Sequence, residues 1–154
     1  MRVNRLNQRS VPLVLLAAAA LAILVRALVP EPKVETFVVW VPLERASAEA
    51  DQKRKPILYD FTADWCPPCR TLEREGWGNK EIASIVNRGF VPVRVDASKE
   101  EPELDPAVAA LKKRYGVDVF PTLVITHADG RELRRQEGFG GRRRLERFLT
   151  ERWP

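Results

Sequence analysis

The chain has 154 residues, room at roughly 100–200 residues per domain for one domain with a leader or tail, which excludes two complete domains. Hydrophobic residues at 45% and charged residues at 31% lie near the globular average, so neither a collagen-like nor a wholly disordered chain fits. The net charge of +5 is local, with eight Arg against four Glu in residues 131–152, while two Cys and one His fall short of both a multi-disulfide scaffold and a closed zinc site.

Residues 1–10 carry Arg2, Arg5 and Arg9 and no acid, the first acid of the chain being Glu31. This reads as a basic n-region. Residues 11–29 follow as an apolar run interrupted only by Arg26, whose long side chain can snorkel to an interface. As a helix they would span about 28 Å against a hydrocarbon core of roughly 30 Å, and the positive flank would keep the N-terminus cytoplasmic and export everything after residue 30. A signal anchor is expected at 11–29. A cleaved signal peptide stays open, because Ala20 and Ala22 give a small-x-small pattern inside the run; the domain would then be secreted or periplasmic and soluble. Pro30 and Pro32 make 30–36 a short stiff linker, and a folded domain is expected over 37–154.

Within that domain residues 37–41 are apolar and β-branched enough for a first strand, 43–53 suit a helix, and Pro56 opens a second strand at 57–62. A long helix is expected over 66–87, with proline at its start and a disturbance at Gly76 and Gly78. A strand follows at 91–96, with Pro92 expected at its first position because it cannot donate to a ladder. A helix at 106–114, a hairpin of 122–126 and 132–138 around Asp129-Gly130, and a helix at 142–153 complete the chain. Parallel crossovers followed by one hairpin predict an α/β fold with a mixed central sheet flanked by helices.

Trp65-Cys66-Pro67-Pro68-Cys69 follows a strand and opens a helix, a context that gives an otherwise weak Cys-x-x-Cys pattern specificity. At a helix N-terminus Cys66 lies beside unsatisfied N–H groups and the positive dipole end, which favour its thiolate, so Cys66 is the candidate nucleophile. Cys69 shares its helical face one turn inside, more buried, and is the candidate resolving thiol. A static disulfide is the alternative, but a loop this short gains only about 2 kcal/mol on the chain-entropy estimate. His127 could join both Cys as a copper ligand only if its turn approached them, and no metal is expected. Asp60 sits inside the apolar run 57–61, where burial would raise its pKa and make it a proton acceptor and donor for Cys69; at a frayed strand end it would instead face water. Asp64 is expected at the surface.

Residues 57–66, Cys69, and Val119-Phe120-Pro121-Thr122 some fifty positions later resemble the thioredoxin superfamily. The run Ala63-Asp64-Trp65-Cys66, Trp77 in the following helix, and residues 93–96 are most similar to the C-terminal thiol-reducing domain of DsbD. Pro67-Pro68 between the cysteines resembles the membrane-tethered TlpA and ResA reductases of cytochrome maturation. The resemblance implies a thioredoxin fold, Cys66 and Cys69 as a redox disulfide, Asp60 as the buried acid, and Pro121 as a cis proline facing that disulfide. Trp65, Phe120 and Pro121 are then the expected substrate-binding residues, the Phe120 backbone receiving an extended substrate segment by strand addition. The implied activity is reduction of protein disulfides by a membrane-tethered, exported oxidoreductase, with an oxidase or isomerase of the same fold and a non-catalytic binding module as alternatives. It implies no metal or organic cofactor and no nucleic-acid partner, but an upstream thiol donor such as a membrane reductase.

The softer signals are read as structural. The basic stretch 131–152 and the acids Glu100, Glu101, Glu103 and Asp105 are expected to be solvated faces, and Trp40, Trp77 and Trp153 to pack in the core or at its rim. Gly138-Phe139-Gly140-Gly141 lacks the spacing of a dinucleotide fingerprint.

Overall fold

The computed structural model describes residues 11–28, 35–100 and 102–151, and the basic stretch 1–10, Pro30 and Pro32, Glu101 and Trp153 lie outside them. The chain divides into two units, residues 1–33 and 34–154. The first contains helix α1 (Val11–Leu28), which ends just after Arg26. At about 1.5 Å per residue it runs about 27 Å, short of a core of roughly 30 Å. Among the described residues no helix is long and apolar enough to cross a membrane.

The second unit begins without the strand expected at 37–41. The bonds of that segment are divided instead: the Asn87 amide donates to Phe37 O at 2.9 Å and accepts from the Val39 N–H at 2.9 Å, while the Phe37 N–H goes to Trp77 O at 2.9 Å and the Val41 N–H to Pro92 O at 2.8 Å, so no continuous ladder forms. A 3-10 turn (Leu43–Arg45) leads into α2 (Ala46–Lys53), which ends on Arg54 in the left-handed region, φ 52°. Strand β1 (Ile57–Thr62) is followed by α3 (Pro67–Leu72), a π turn (Glu73–Trp77) and α4 (Lys80–Gly89). Then come β2 (Val91–Asp96), α5 (Pro106–Arg114), the hairpin of β3 (Thr122–Thr126) and β4 (Glu132–Glu137), and α6 (Arg142–Thr150).

The long helix expected over 66–87 is thus broken, and Gly78 shows why. The Gly78 N–H reaches back five residues to Glu73 O at 2.7 Å, closing the wide turn, and a Cβ there would stand 2.8 Å from Arg74 O and 3.2 Å from Glu35 O. Asn79 then restarts the helix, its side-chain oxygen capping the Ile82 N–H at 3.1 Å. The wide turn delivers Trp77, fully buried, into the core.

The four strands are ordered β2-β1-β3-β4, with β1 parallel to β2 and antiparallel to β3, and β4 antiparallel to β3. Pro92 is the second residue of β2, not the first as expected. It is tolerated because β2 is an edge: its carbonyl points away from β1 to accept from the Val41 N–H at 2.8 Å, and its ring nitrogen faces that side, where no ladder needs a donor. Period-two alternation sorts β1 onto two cores. Ile57, Tyr59 and Phe61 pack with Val91, Val93, Val95 and α2, while Leu58 packs with Leu123, Ile125, Trp77 and apolar residues of α4 and α6. Asp60 lies on the Leu58 face, the face of Trp77.

Candidate active site

At the C-terminal end of β1 the chain turns through residues 63–65 into Cys66, the N-cap of α3. Cys66 is extended, φ −91° and ψ 108°, and its Sγ accepts the Cys69 N–H at 3.2 Å, the place a Ser or Asp oxygen fills in an ordinary cap. Pro67 and Pro68 occupy the first helical turn, where no intrahelical N–H is needed. Cys66 and Cys69 form a disulfide with their Cα atoms 5.3 Å apart. Exposure does not distinguish them in this oxidised form, contrary to the sequence reading: Cys66 is 3% and Cys69 4% exposed. What distinguishes them is the cap. Cys69 also lines a small cavity of about 130 Å³ with Asp64, Glu73, Arg94 and Asp96.

Two of the residues expected to meet substrate, Phe120 and Trp65, lie beside the pair. The Phe120–Pro121 peptide bond is cis. Phe120 packs on the cluster of Ala63, Cys66 and Cys69, and Trp65 stands edge-on to it with ring centroids 5.7 Å apart. Trp65 is 55% exposed, yet its indole N–H is fixed on Ser98 O at 3.1 Å.

Asp60 is 1% exposed, so the water-facing alternative does not hold. Its Oδ2 accepts from Trp77 Nε1 at 2.8 Å, and its Oδ1 has no partner among the described residues. Burial pushes its carboxyl up to about 6; Arg94 and the Trp77 hydrogen bond pull it down, and Glu73 pushes it further up. Arg94 is its register partner on β2, ion-paired to Glu73 at 2.8 Å and lying over the Trp40 ring. Sequence reasoning placed Trp77 as packing only, and passed over Arg94, Glu73 and Ser98. One signal was available for Arg94: it is the fourth residue of a strand otherwise apolar up to its last residue, Asp96, as Asp60 is the fourth of β1.

His127 follows β3 beside Ile57, at the end of the sheet away from the cysteines, and cannot join them on copper. Among the described residues no cluster of three or more His, Cys, Asp or Glu could hold a metal ion.

A capped Cys-x-x-Cys after a central strand, a cis proline just ahead of the neighbouring antiparallel strand, and a four-stranded mixed sheet with helices on both sides make the arrangement of thioredoxin-fold proteins. The thioredoxin-like domain family matches residues 43–152, and the chain belongs to it. It is 32% identical over 99 residues to the thiol:disulfide interchange protein DsbD of Klebsiella pneumoniae, a match covering 63% of this chain and only 15% of that protein. A DsbH oxidoreductase structure superposes with a TM-score of 0.61 at 26% identity, over 73% of this chain and 81% of that one. The oxidised C-terminal domain of DsbD from Neisseria meningitidis shares the fold, with a TM-score of 0.56 at 24% identity over 69% and 89% of the two chains.

Proposed function

We propose that this protein is a thiol-disulfide oxidoreductase that reduces protein disulfides. In the dithiol form the Cys66 thiolate attacks one sulfur of a substrate disulfide. That S–S bond breaks, a mixed disulfide forms and one substrate thiolate leaves. Cys69 then loses its proton and attacks Cys66 Sγ, closing the intramolecular disulfide and releasing the second substrate thiolate. Two electrons pass to the substrate and two protons follow to its sulfurs, Asp60 taking up the proton of Cys69 and passing it on. An upstream thiol donor returns the pair to the dithiol.

The observation that carries this reading is the cap. When the disulfide opens, the Cys69 N–H and the end of α3 face the Cys66 sulfur and favour its thiolate. The names of the similar proteins, an interchange protein and an oxidoreductase, support the same chemistry. The test is insulin reduction in dithiothreitol. The parent should turn over and Cys66→Ser should be inactive, while Cys69→Ser, pre-reduced and freed of dithiothreitol before insulin is added, should accumulate mixed disulfides. A reduction potential of about −300 to −200 mV is expected, and one near −120 mV would make the protein an oxidant.

The apolar helix α1 and the basic residues before it support a membrane-anchored protein with its redox domain on the extracytoplasmic side.

A further inference from the structure

The turn that carries Trp65 into Cys66 is held from outside by one residue of the loop after β2. Ser98 Oγ accepts the Asp64 N–H at 2.8 Å, and Ser98 O accepts the Trp65 indole N–H at 3.1 Å. Ser98 is itself fixed on Asp96, whose Oδ1 accepts both its N–H at 2.9 Å and its hydroxyl. From the other side Arg70, next to Cys69, donates to Asp64 O at 3.0 Å. The bonds from Ser98 to Asp96 alone would be an ordinary turn at a strand end. The two bonds to Asp64 and Trp65 are not needed for that turn, and they reach across 34 and 33 residues of chain.

We propose that Ser98 is a positioning residue, which pins Trp65 against Phe120 as a preset wall of the site for polypeptide disulfides. This rests on the oxidoreductase reading above. A large exposed ring would otherwise lose its rotamer freedom only when substrate arrived; held in advance, it spends none of the binding free energy on ordering. The sulfur chemistry at Cys66 does not use this wall. Ser98 therefore governs how well a protein disulfide binds and leaves unchanged the reaction of a small disulfide, which has no polypeptide to lay along the wall.

The full chain in mild detergent is compared with Ser98→Ala and Ser98→Thr on insulin and on bis(2-hydroxyethyl) disulfide. Ser98→Ala keeps the carbonyl that accepts from Trp65 but removes the hydroxyl that accepts the Asp64 N–H and so frees the turn that carries the ring. It should raise KM for insulin about fivefold, the scale of one lost hydrogen bond, at a kcat within about twofold of the parent. Its rate with the small disulfide should be parental, and Ser98→Thr, which keeps the oxygen, should restore the KM. Trp65→Phe deletes the indole N–H without touching Ser98 and should raise the insulin KM at least as much, with no further loss on adding Ser98→Ala. A parental insulin KM in Ser98→Ala, an equal loss on both disulfides, failure of the Thr rescue, or additive losses would each overturn the proposal. If Ser98→Ala does not fold, a parental KM in Trp65→Phe overturns it. A parent that reduces neither disulfide would instead remove the oxidoreductase reading, and this inference with it.

Discussion

Asp60 keeps one oxygen satisfied and one orphaned in a site that opposes its charge. Its carboxyl ionises near 3.8 when exposed and about 6 in the fold, because burial outweighs the attraction of Arg94. The folded state therefore holds the proton more tightly than the unfolded chain. That contribution to stability is complete below about pH 4 and is lost as the pH rises through about 6, a change of about 3 kcal/mol. Asp60→Asn keeps an acceptor for Trp77 and has no proton to lose. Urea titrations of the oxidised proteins should show the variant gaining on the parent between pH 4 and 7; a gap that does not move with pH would make Asp60 an ordinary carboxyl. The variant should also slow resolution by Cys69 while leaving the first thiol attack nearly intact, as read by quenched-flow analysis of mixed disulfides. Cys66, Cys69 and Asp60 were legible in the sequence because each is an anomaly in its local pattern: two thiols at a helix start, one acid in an apolar strand. Trp77 and Ser98 were not, because an aromatic in a helix and a serine in a loop fit their patterns without a function.

The elements whose bounds the sequence predicted, β1, β2, α5 and β3, each have one strong pattern that tertiary packing does not contradict. The failures lie where a neighbour supplies what the pattern did not show. Residues 37–41 read as a strand, yet their hydrogen bonds are split among the Asn87 amide, Trp77 O and Pro92 O and build no ladder. The helix expected over 66–87 had the right composition, and its break was set by how closely the backbone at Gly78 meets other carbonyls. This makes glycine substitution a position-specific test. At Gly78 a methyl would press on backbone oxygens that cannot move aside, whereas at Gly89, near the end of α4, it would meet nothing within 4 Å. Gly78→Ala should lose about 1–3 kcal/mol in urea unfolding of the oxidised protein. Gly89→Ala should be neutral or gain up to about 1 kcal/mol from helix propensity and reduced unfolded-state entropy. Equal stabilities for the two variants would mean that the π turn relaxes freely and that Gly78 is not what shapes it.

At the scale of the whole molecule, charge is distributed unevenly. The C-terminal arginines are partly used within the fold, Arg134 pairing with Glu151 and Arg135 with Glu132 and Glu137, which fits a solvated face better than a docking surface. The N-terminal arginines have no acid before Glu31 to pair with, and they precede an apolar helix. Helix α1, about 27 Å long, falls short of the roughly 30 Å core, and an anchored chain would reach the headgroups through the long side chain of Arg26 in its last turn. On the anchored reading proposed above, positive charge before the helix would keep that flank cytoplasmic and put both cysteines on the opposite side. Cells or spheroplasts treated with an impermeant phosphine and then an impermeant maleimide should therefore label Cys66 without lysis, and the full-length chain should stay in the membrane fraction through a high-salt wash. A shortened, washable chain labelled in intact cells would show that the segment is a cleaved signal peptide. Labelling only after lysis would place the redox pair in the cytoplasm, where a reductant of exported disulfides has no substrate, and the orientation read from Arg2, Arg5 and Arg9 would fall with the anchor.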